Sequence, residues 1–309
     1  MRILVTGGAG FIGSHVADAF LAAGHDVAVV DSLWSHGGGK RDNVPPQARF
    51  YEVDVRSPEL REVIEKERPE VISHHAAQHS VKYSTDQPAY DADVNLLGLI
   101  NLLAAAEAAG TRKVIFASSA ATYGTVETLP INEDTRQLPD SPYGTTKLAS
   151  EHYLRFWHNE RGLSFTALRY GNVYGPRQDP TGEAGVVAIF TQRFLARQGI
   201  TIYWDGDQTR DYVYVGDVAR ANVLALSTAD QERLCIGTGV ETSVNDLYRG
   251  LVEYTGFEAP INWQPRRPGD PRANRFDAAR AGERLGWQPE VAFKDGLGLT
   301  VEWFKGRAS

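Results

Sequence analysis

Tyr143 and Lys147 stand four residues apart in the stretch Ser141-Pro142-Tyr143-Gly144-Thr145-Thr146-Lys147. On a helix this spacing puts both side chains on one face, one turn apart. An ammonium beside a phenol favours the phenolate and lowers the tyrosine pKa from about 10. A tyrosine tuned in this way can act as a general base near neutral pH. Taken alone, the pair reads more readily as a surface aromatic beside a solvated lysine. The rest of the chain has to supply the context.

A second motif opens the chain. The stretch TGGAGFIG (6–13) follows an apolar run, Ile3-Leu4-Val5, and precedes a helical pattern from Phe11 to Ala23. It satisfies both Gly8-x-Gly10-x-x-Gly13 and Gly7-x-x-Gly10-x-x-Gly13. Glycines there allow a tight turn and close approach of a pyrophosphate, whose charge the helix N-terminus holds. Asp31 ends the next apolar run, where a carboxylate can bind the adenosine ribose hydroxyls and repel a 2′-phosphate. The expected cofactor is therefore NAD rather than NADP. Lys40 and Arg41 follow in a loop, either at a cofactor phosphate or in solvent, and Asp54-Val55 can flank the adenine or cap the next helix.

Such groups need a scaffold. Apolar runs at 25–31, 49–55, 70–77, 113–119 and 164–172 predict strands. Helical spacing at Glu59–Glu67, Tyr90–Ala109 and Tyr143–Arg161 alternates with them, which predicts a parallel sheet covered on both faces. The fold class is α/β: a doubly wound parallel Rossmann sheet over 1–172, with a smaller C-terminal α/β substrate lobe over 173–309. Segments around 211–240 are expected to return to the sheet. In the second half, helices are expected at Val186–Arg197, Val218–Ser227 and Gly296–Lys305.

The 309 residues carry a net charge of -7, which argues against a nucleic-acid partner. One cysteine, Cys235, excludes an intramolecular disulfide and a cysteine-based metal site, and fits a reducing cytoplasm. No run approaches 18 consecutive apolar residues, and the N-terminus does not read as a signal peptide. His74, His75 and His79 lack the spacing of a standard metal site, so no metal is expected.

The motifs in order are TGGAGFIG, Asp31, Asp54-Val55, HHAAQ (74–78), SSAATYG (118–124), Tyr143-x-x-x-Lys147 and RYGNVYGPRQ (169–178). In this order the chain resembles the extended short-chain dehydrogenase/reductase family, most closely its UDP-glucose 4-epimerases. TRDYVYVGDVA (209–219) and RPGD (267–270) extend the likeness over nearly the whole chain. The resemblance implies that Tyr143 is the acid/base, that Lys147 sets its pKa and binds the nicotinamide ribose, and that Ser119 supplies the partner hydroxyl. It implies an NAD site built from Gly7, Gly10, Phe11, Ile12, Gly13, Asp31, Ser32, Lys40, Asp54, Val55, Ala76, Ala77, Asn95, Ser118, Tyr143, Lys147 and Tyr170.

For a UDP-sugar it implies Ser119, Tyr143, Asn172, Val187, Tyr203, Arg210, Arg267, Asp270 and Asn274. The reaction would be oxidation at C4, rotation of the 4-keto sugar and re-reduction on its other face. Two departures from relatives bear on the substrate. Ala120 and Ala121 stand where nucleotide-sugar 4,6-dehydratases carry an Asp-Glu pair, so elimination of water is disfavoured. Asn274 stands where a larger gate residue closes the pocket against an N-acetyl group, so UDP-N-acetylglucosamine is a candidate beside UDP-glucose. Competing readings are a UDP-glucuronate 4-epimerase, another nucleotide-sugar epimerase or dehydratase, and a non-catalytic NAD-sensing protein. The family pairs helices like 90–109 and 143–161 into a four-helix bundle, so a homodimer is expected.

Overall fold

The computed structural model describes residues 1–181, 185–266 and 271–307. The chain opens with β1 (Arg2–Thr6), α1 (Phe11–Ala22), β2 (Asp26–Asp31), β3 (Arg49–Glu52), α2 (Glu59–Glu67) and β4 (Val71–His74). Then follow α3 (Val81–Asp86), α4 (Pro88–Ala92), α5 (Gly98–Ala108), β5 (Lys113–Ser119), α6 (Pro142–Arg161) and β6 (Ser164–Tyr170). The second half holds β7 (Asn172–Tyr174), α7 (Val186–Leu195), β8 (Ile200–Tyr203), β9 (Thr209–Tyr214), α8 (Val215–Leu224) and β10 (Glu232–Ile236). It ends with β11 (Glu241–Ser243), α9 (Val244–Thr255), β12 (Ile261–Gln264), α10 (Ala279–Leu285) and α11 (Phe293–Lys305).

Among the described residues, seven strands form one parallel sheet in the order β10-β6-β5-β4-β1-β2-β3. Helices cover both faces, so the strands are apolar on both sides. On one face Val16, Ala17 and Phe20 of α1 join Val218 and Ala221 of α8 in a core cluster. On the other, Leu60 and Ile64 of α2 pack with Leu99, Leu102 and Leu103 of α5 and Leu154 of α6. Each such side chain contributes about 2 kcal/mol by leaving water. Strand order reverses direction at β1 and β4, and the crevice between their C-terminal ends is where such sheets bind ligands.

A separate cluster builds the second lobe: Phe190 and Phe194 of α7, Leu247 and Leu251 of α9, and Leu297 and Val301 of α11. Of the stretch 211–240, α8 lies on α1 and β10 adds the edge of the large sheet, whereas β9 pairs with β7 and β11. The helical stretch expected over 90–109 is not continuous: α4 and α5 are joined by a π-helical turn at Asp93–Leu97. Such turns widen a helix locally and re-aim its side chains. The helix α9 has no counterpart in the sequence reading. Its signal was present, since Ser243 and Asp246 form a reciprocal capping box.

Candidate active site

The first cavity, about 560 Å³, opens at the β1–β4 crevice. Gly7, at φ 70°, makes the turn after β1, and a Cβ there would lie 2.5 Å from the Ala76 nitrogen. A Cβ on Gly13 would strike the Gly7 carbonyl. The chain thus uses the 7-10-13 reading of its glycines, while Gly8 packs against Val29. Gly10 is the N-cap of α1, whose first turn carries no acidic residue, so its positive end is open to a phosphate. A backbone cradle that any Cβ would fill suits a dinucleotide pyrophosphate. Asp31 accepts hydrogen bonds from the Ala9 and Leu33 nitrogens at 3.0 and 2.9 Å, and burial raises its pKa above the usual value.

Gly7, Gly10, Phe11, Ile12, Gly13, Asp31, Ser32, Asp54, Val55, Ala76, Ala77, Ser118, Tyr143, Lys147 and Tyr170 all line this cavity. Two expected residues do not. Lys40 forms an ion pair with Asp179 at 3.4 Å, drawn by a carboxylate 139 positions away in sequence, and leaves the wall to Gly39. The π turn directs Asn95 beneath the wall, where it accepts from the Gln78 nitrogen at 2.8 Å and donates to the Gln78 carbonyl at 2.9 Å. Asn95 therefore supports the loop that carries Ala77 and Gln78.

At the other end of the cavity, Ser141 caps α6 by accepting from the Gly144 nitrogen at 3.1 Å, and Pro142 fills the first helical position. This fixes the start of the helix and sets Tyr143 and Lys147 one turn apart. Ser119 ends β5, accepts from the Ala121 nitrogen at 3.1 Å and lies close enough to Tyr143 to act on its phenol, although, unlike Ser118, it does not line this cavity. Lys147 donates to the Ala117 carbonyl at 2.8 Å and lies 4.7 Å over the Phe116 ring. The next turn of the same face carries Glu151, which accepts from Ser118 at 2.6 Å and pairs with Arg169 at 2.6 Å. The catalytic strand end is thereby tied to α6 from below.

The protonation picture departs from the sequence reading. Tyr143 is pushed up to about 12, not down, because burial of the phenol outweighs the lowering effect of the nearby Ser119 hydroxyl. Burial also lowers Lys147 to about 8, against the opposing effect of Asp91. His74 and His75 are lowered to about 3, first by burial and then by Lys147. His74 Nδ1 is 2.6 Å from Thr6 Oγ1 and His75 Nε2 is 3.2 Å from the Tyr170 hydroxyl. Among the described residues no three metal-ligating side chains converge.

A second cavity of about 220 Å³ lies in the smaller lobe. Asn172, Val187, Tyr203 and Arg210 line it. Gln178 and Gly185 line both cavities and so mark their junction. Arg210 donates to the Pro271 carbonyl at 3.0 Å. Asn274 lines neither cavity; its Oδ1 is buried without a hydrogen-bond partner. Arg267 and Asp270 lie outside the described residues.

Several wall residues escaped the sequence reading. Trp34 packs edge-on to Tyr83 and tilted against Tyr90, with ring centroids 5.5 and 5.4 Å apart, and all three line the first cavity with Asp54. Arg56 lies 5.1 Å over the Tyr90 ring and pairs with Asp54. No local pattern joins positions 34, 83 and 90; only the fold does.

The profile of the NAD dependent epimerase/dehydratase family matches residues 3–237, and the chain belongs to that family. Over its whole length the chain is 44% identical to a UDP-glucose 4-epimerase of Mycolicibacterium smegmatis, covering 100% of both chains. Its structure is similar to that of UDP-glucose 4-epimerase with UDP-glucose from Thermotoga maritima, with a TM-score of 0.96, 47% identity and 100% of each chain covered. It is also similar to the Thermus thermophilus UDP-glucose 4-epimerase in complex with NAD, with a TM-score of 0.93, 44% identity and 99% of each chain covered.

Proposed function

We propose that this chain is an NAD-dependent UDP-sugar 4-epimerase that interconverts UDP-glucose and UDP-galactose. The observation that carries the reading is the Tyr143 and Lys147 pair, one turn apart on α6, in the wall of the cavity that holds the dinucleotide cradle and that shares Gln178 and Gly185 with a second, smaller cavity. NAD, when bound, supplies a hydride acceptor and donor and, oxidised, a positively charged ring.

The residues of the chain divide the remaining work. Gly7, Gly10 and Gly13 bring backbone against the pyrophosphate, and Asp31 receives the adenosine ribose. Burial keeps the Tyr143 phenol protonated in the protein alone; a positive charge arriving beside it favours the phenolate. As phenolate, Tyr143 takes the proton of the sugar 4-hydroxyl and later returns it to the 4-keto oxygen of the turned sugar. Ser119 hydrogen-bonds the same sugar oxygen and steadies it through both steps. Lys147 holds positive charge within reach of Tyr143 and the nicotinamide ribose. Arg210, Arg267 and Asn172 take the diphosphate, while Asp270 and Tyr203 take the uridine and Val187 packs beside them. Ala120 and Ala121 provide neither acid nor base for eliminating water, which separates the site from dehydratase chemistry. The test is inversion at C4 by the purified chain with no cofactor added.

The finer reading extends the substrate to UDP-N-acetylglucosamine through the small Asn274. The reading also includes a homodimer. Leu97 beside α5 and Tyr153 and Phe156 on α6 are 55, 38 and 47% exposed, an apolar strip on two adjacent helices that suits a second copy of the chain. Replacing Leu97 and Phe156 together by Glu should halve the mass seen by light scattering; an unaltered mass would remove this face from the account.

A further inference from the structure

Asp91 lies on α4 and is fully buried. Its Oδ1 accepts from Gln78 Nε2 at 2.7 Å and from Asn95 Nδ2 at 3.0 Å. Its Oδ2 accepts from Thr146 Oγ1 at 2.8 Å. Thr146 directly precedes Lys147 on α6, and Gln78 belongs to the loop that walls the first cavity. Gln78 Oε1 in turn accepts from the Ser80 nitrogen at 2.6 Å. One carboxylate therefore fixes three separate elements around the tyrosine–lysine pair.

All three donors on Asp91 are neutral. A buried carboxylate held only by neutral donors is costly unless a positive charge lies near. Burial raises the Asp91 carboxyl above its usual value, and the cation whose field opposes this is Lys147, also buried, whose own hydrogen bond goes to the Ala117 carbonyl. The other groups around Lys147 do not supply an anion. His74 at the end of β4 and His75 just after it are held neutral by burial, Tyr143 and Tyr170 are phenols, and Glu151 is turned to Arg169. Burial works to discharge Lys147, and Asp91 works against it.

We propose that Asp91 is a positioning residue for the Tyr143–Lys147 pair, locking α6 to the 78–80 loop and serving as the buried counter-charge that keeps Lys147 an ammonium. Asp91 touches neither substrate nor cofactor; it acts through Thr146, Gln78 and the field at Lys147. Its kinetic consequence rests on the epimerase reading, whereas its effect on Lys147 does not.

Two measurements test it. In full-length protein stripped of nucleotide, competitive acetylation of Lys147 across pH, read by mass spectrometry, gives the titration of that amine. Asp91→Asn should lower its midpoint by about one unit or more, while Thr146→Val, which removes a hydrogen bond and keeps the charge, should leave it in place. With UDP-galactose as substrate, the basic limb of the kcat–pH profile should move to lower pH in Asp91→Asn by the same interval, with KM within about twofold of wild type. An unmoved Lys147 titration in Asp91→Asn overturns the proposal. So does a uniform loss of kcat at every pH with an unmoved limb, which is the mark of a purely structural carboxylate. If the wild-type chain epimerises nothing while Lys147 still shifts, the functional reading falls and the counter-charge stands.

Discussion

Gly7 lies so close to Ala76 that a Cβ on the glycine would come within 2.5 Å of the alanine nitrogen. The contact joins the turns after β1 and β4, the two strands that flank the crevice, and leaves backbone as the floor of the cofactor cavity. Gly7→Ala must either push the strand ends apart or abandon the φ of 70°. The variant should lose bound NAD by at least about tenfold, measured as nucleotide released on denaturing the purified protein. Retention of wild-type NAD content would contradict the cradle.

Three histidines give the fold an acid-sensitive stability. His15 is lowered to about 4, and His74 and His75 to about 3, each chiefly by burial. In the unfolded chain all three titrate near 6.5. Between pH 6.5 and about 4 the unfolded state therefore holds protons that the native state refuses, and stability falls as pH falls, by about 1.4 kcal/mol per unit per histidine. From pH 7 to 5.5 the loss should reach about 3–4 kcal/mol in urea unfolding. His15→Gln should recover about a third of it. A flat stability over this interval would mean the rings are charged in the folded protein.

The proposed acceptance of N-acetylated sugars rests on the small side chain of Asn274, which lines neither cavity. The wild-type chain should epimerise UDP-N-acetylgalactosamine as well as UDP-galactose, and Asn274→Tyr should suppress the first by at least about tenfold while sparing the second. Turnover of UDP-galactose alone by the wild type would end the wide-pocket reading.

What the sequence made legible was what local backbone chemistry dictates. Gly7, Gly10 and Gly13 announce a turn and a close approach, Asp31 marks a strand end, and Ser141-Pro142 announces the helix that spaces Tyr143 and Lys147. What it hid depends on distant partners. Lys40 belongs to Asp179, which no local pattern reveals. Asn95 is redirected by a π turn inside an otherwise helical pattern. Trp34, Tyr83 and Tyr90 meet only when the loop after β2 packs against α3 and α4. The rise of the Tyr143 pKa in the protein alone stayed hidden because neighbouring charge can be read from spacing and burial cannot.

The central claim is that Tyr143, set beside Ser119 and Lys147, moves the C4 proton while NAD stays on the protein. The most direct measurement is a proton NMR epimerisation assay on UDP-galactose, without added NAD, comparing wild type with Tyr143→Phe. The account predicts formation of UDP-glucose by the wild type and a loss of at least about 100-fold in the Phe variant, with NAD content unchanged. Equal turnover by the two, or none by the wild type even when NAD is supplied, would contradict it.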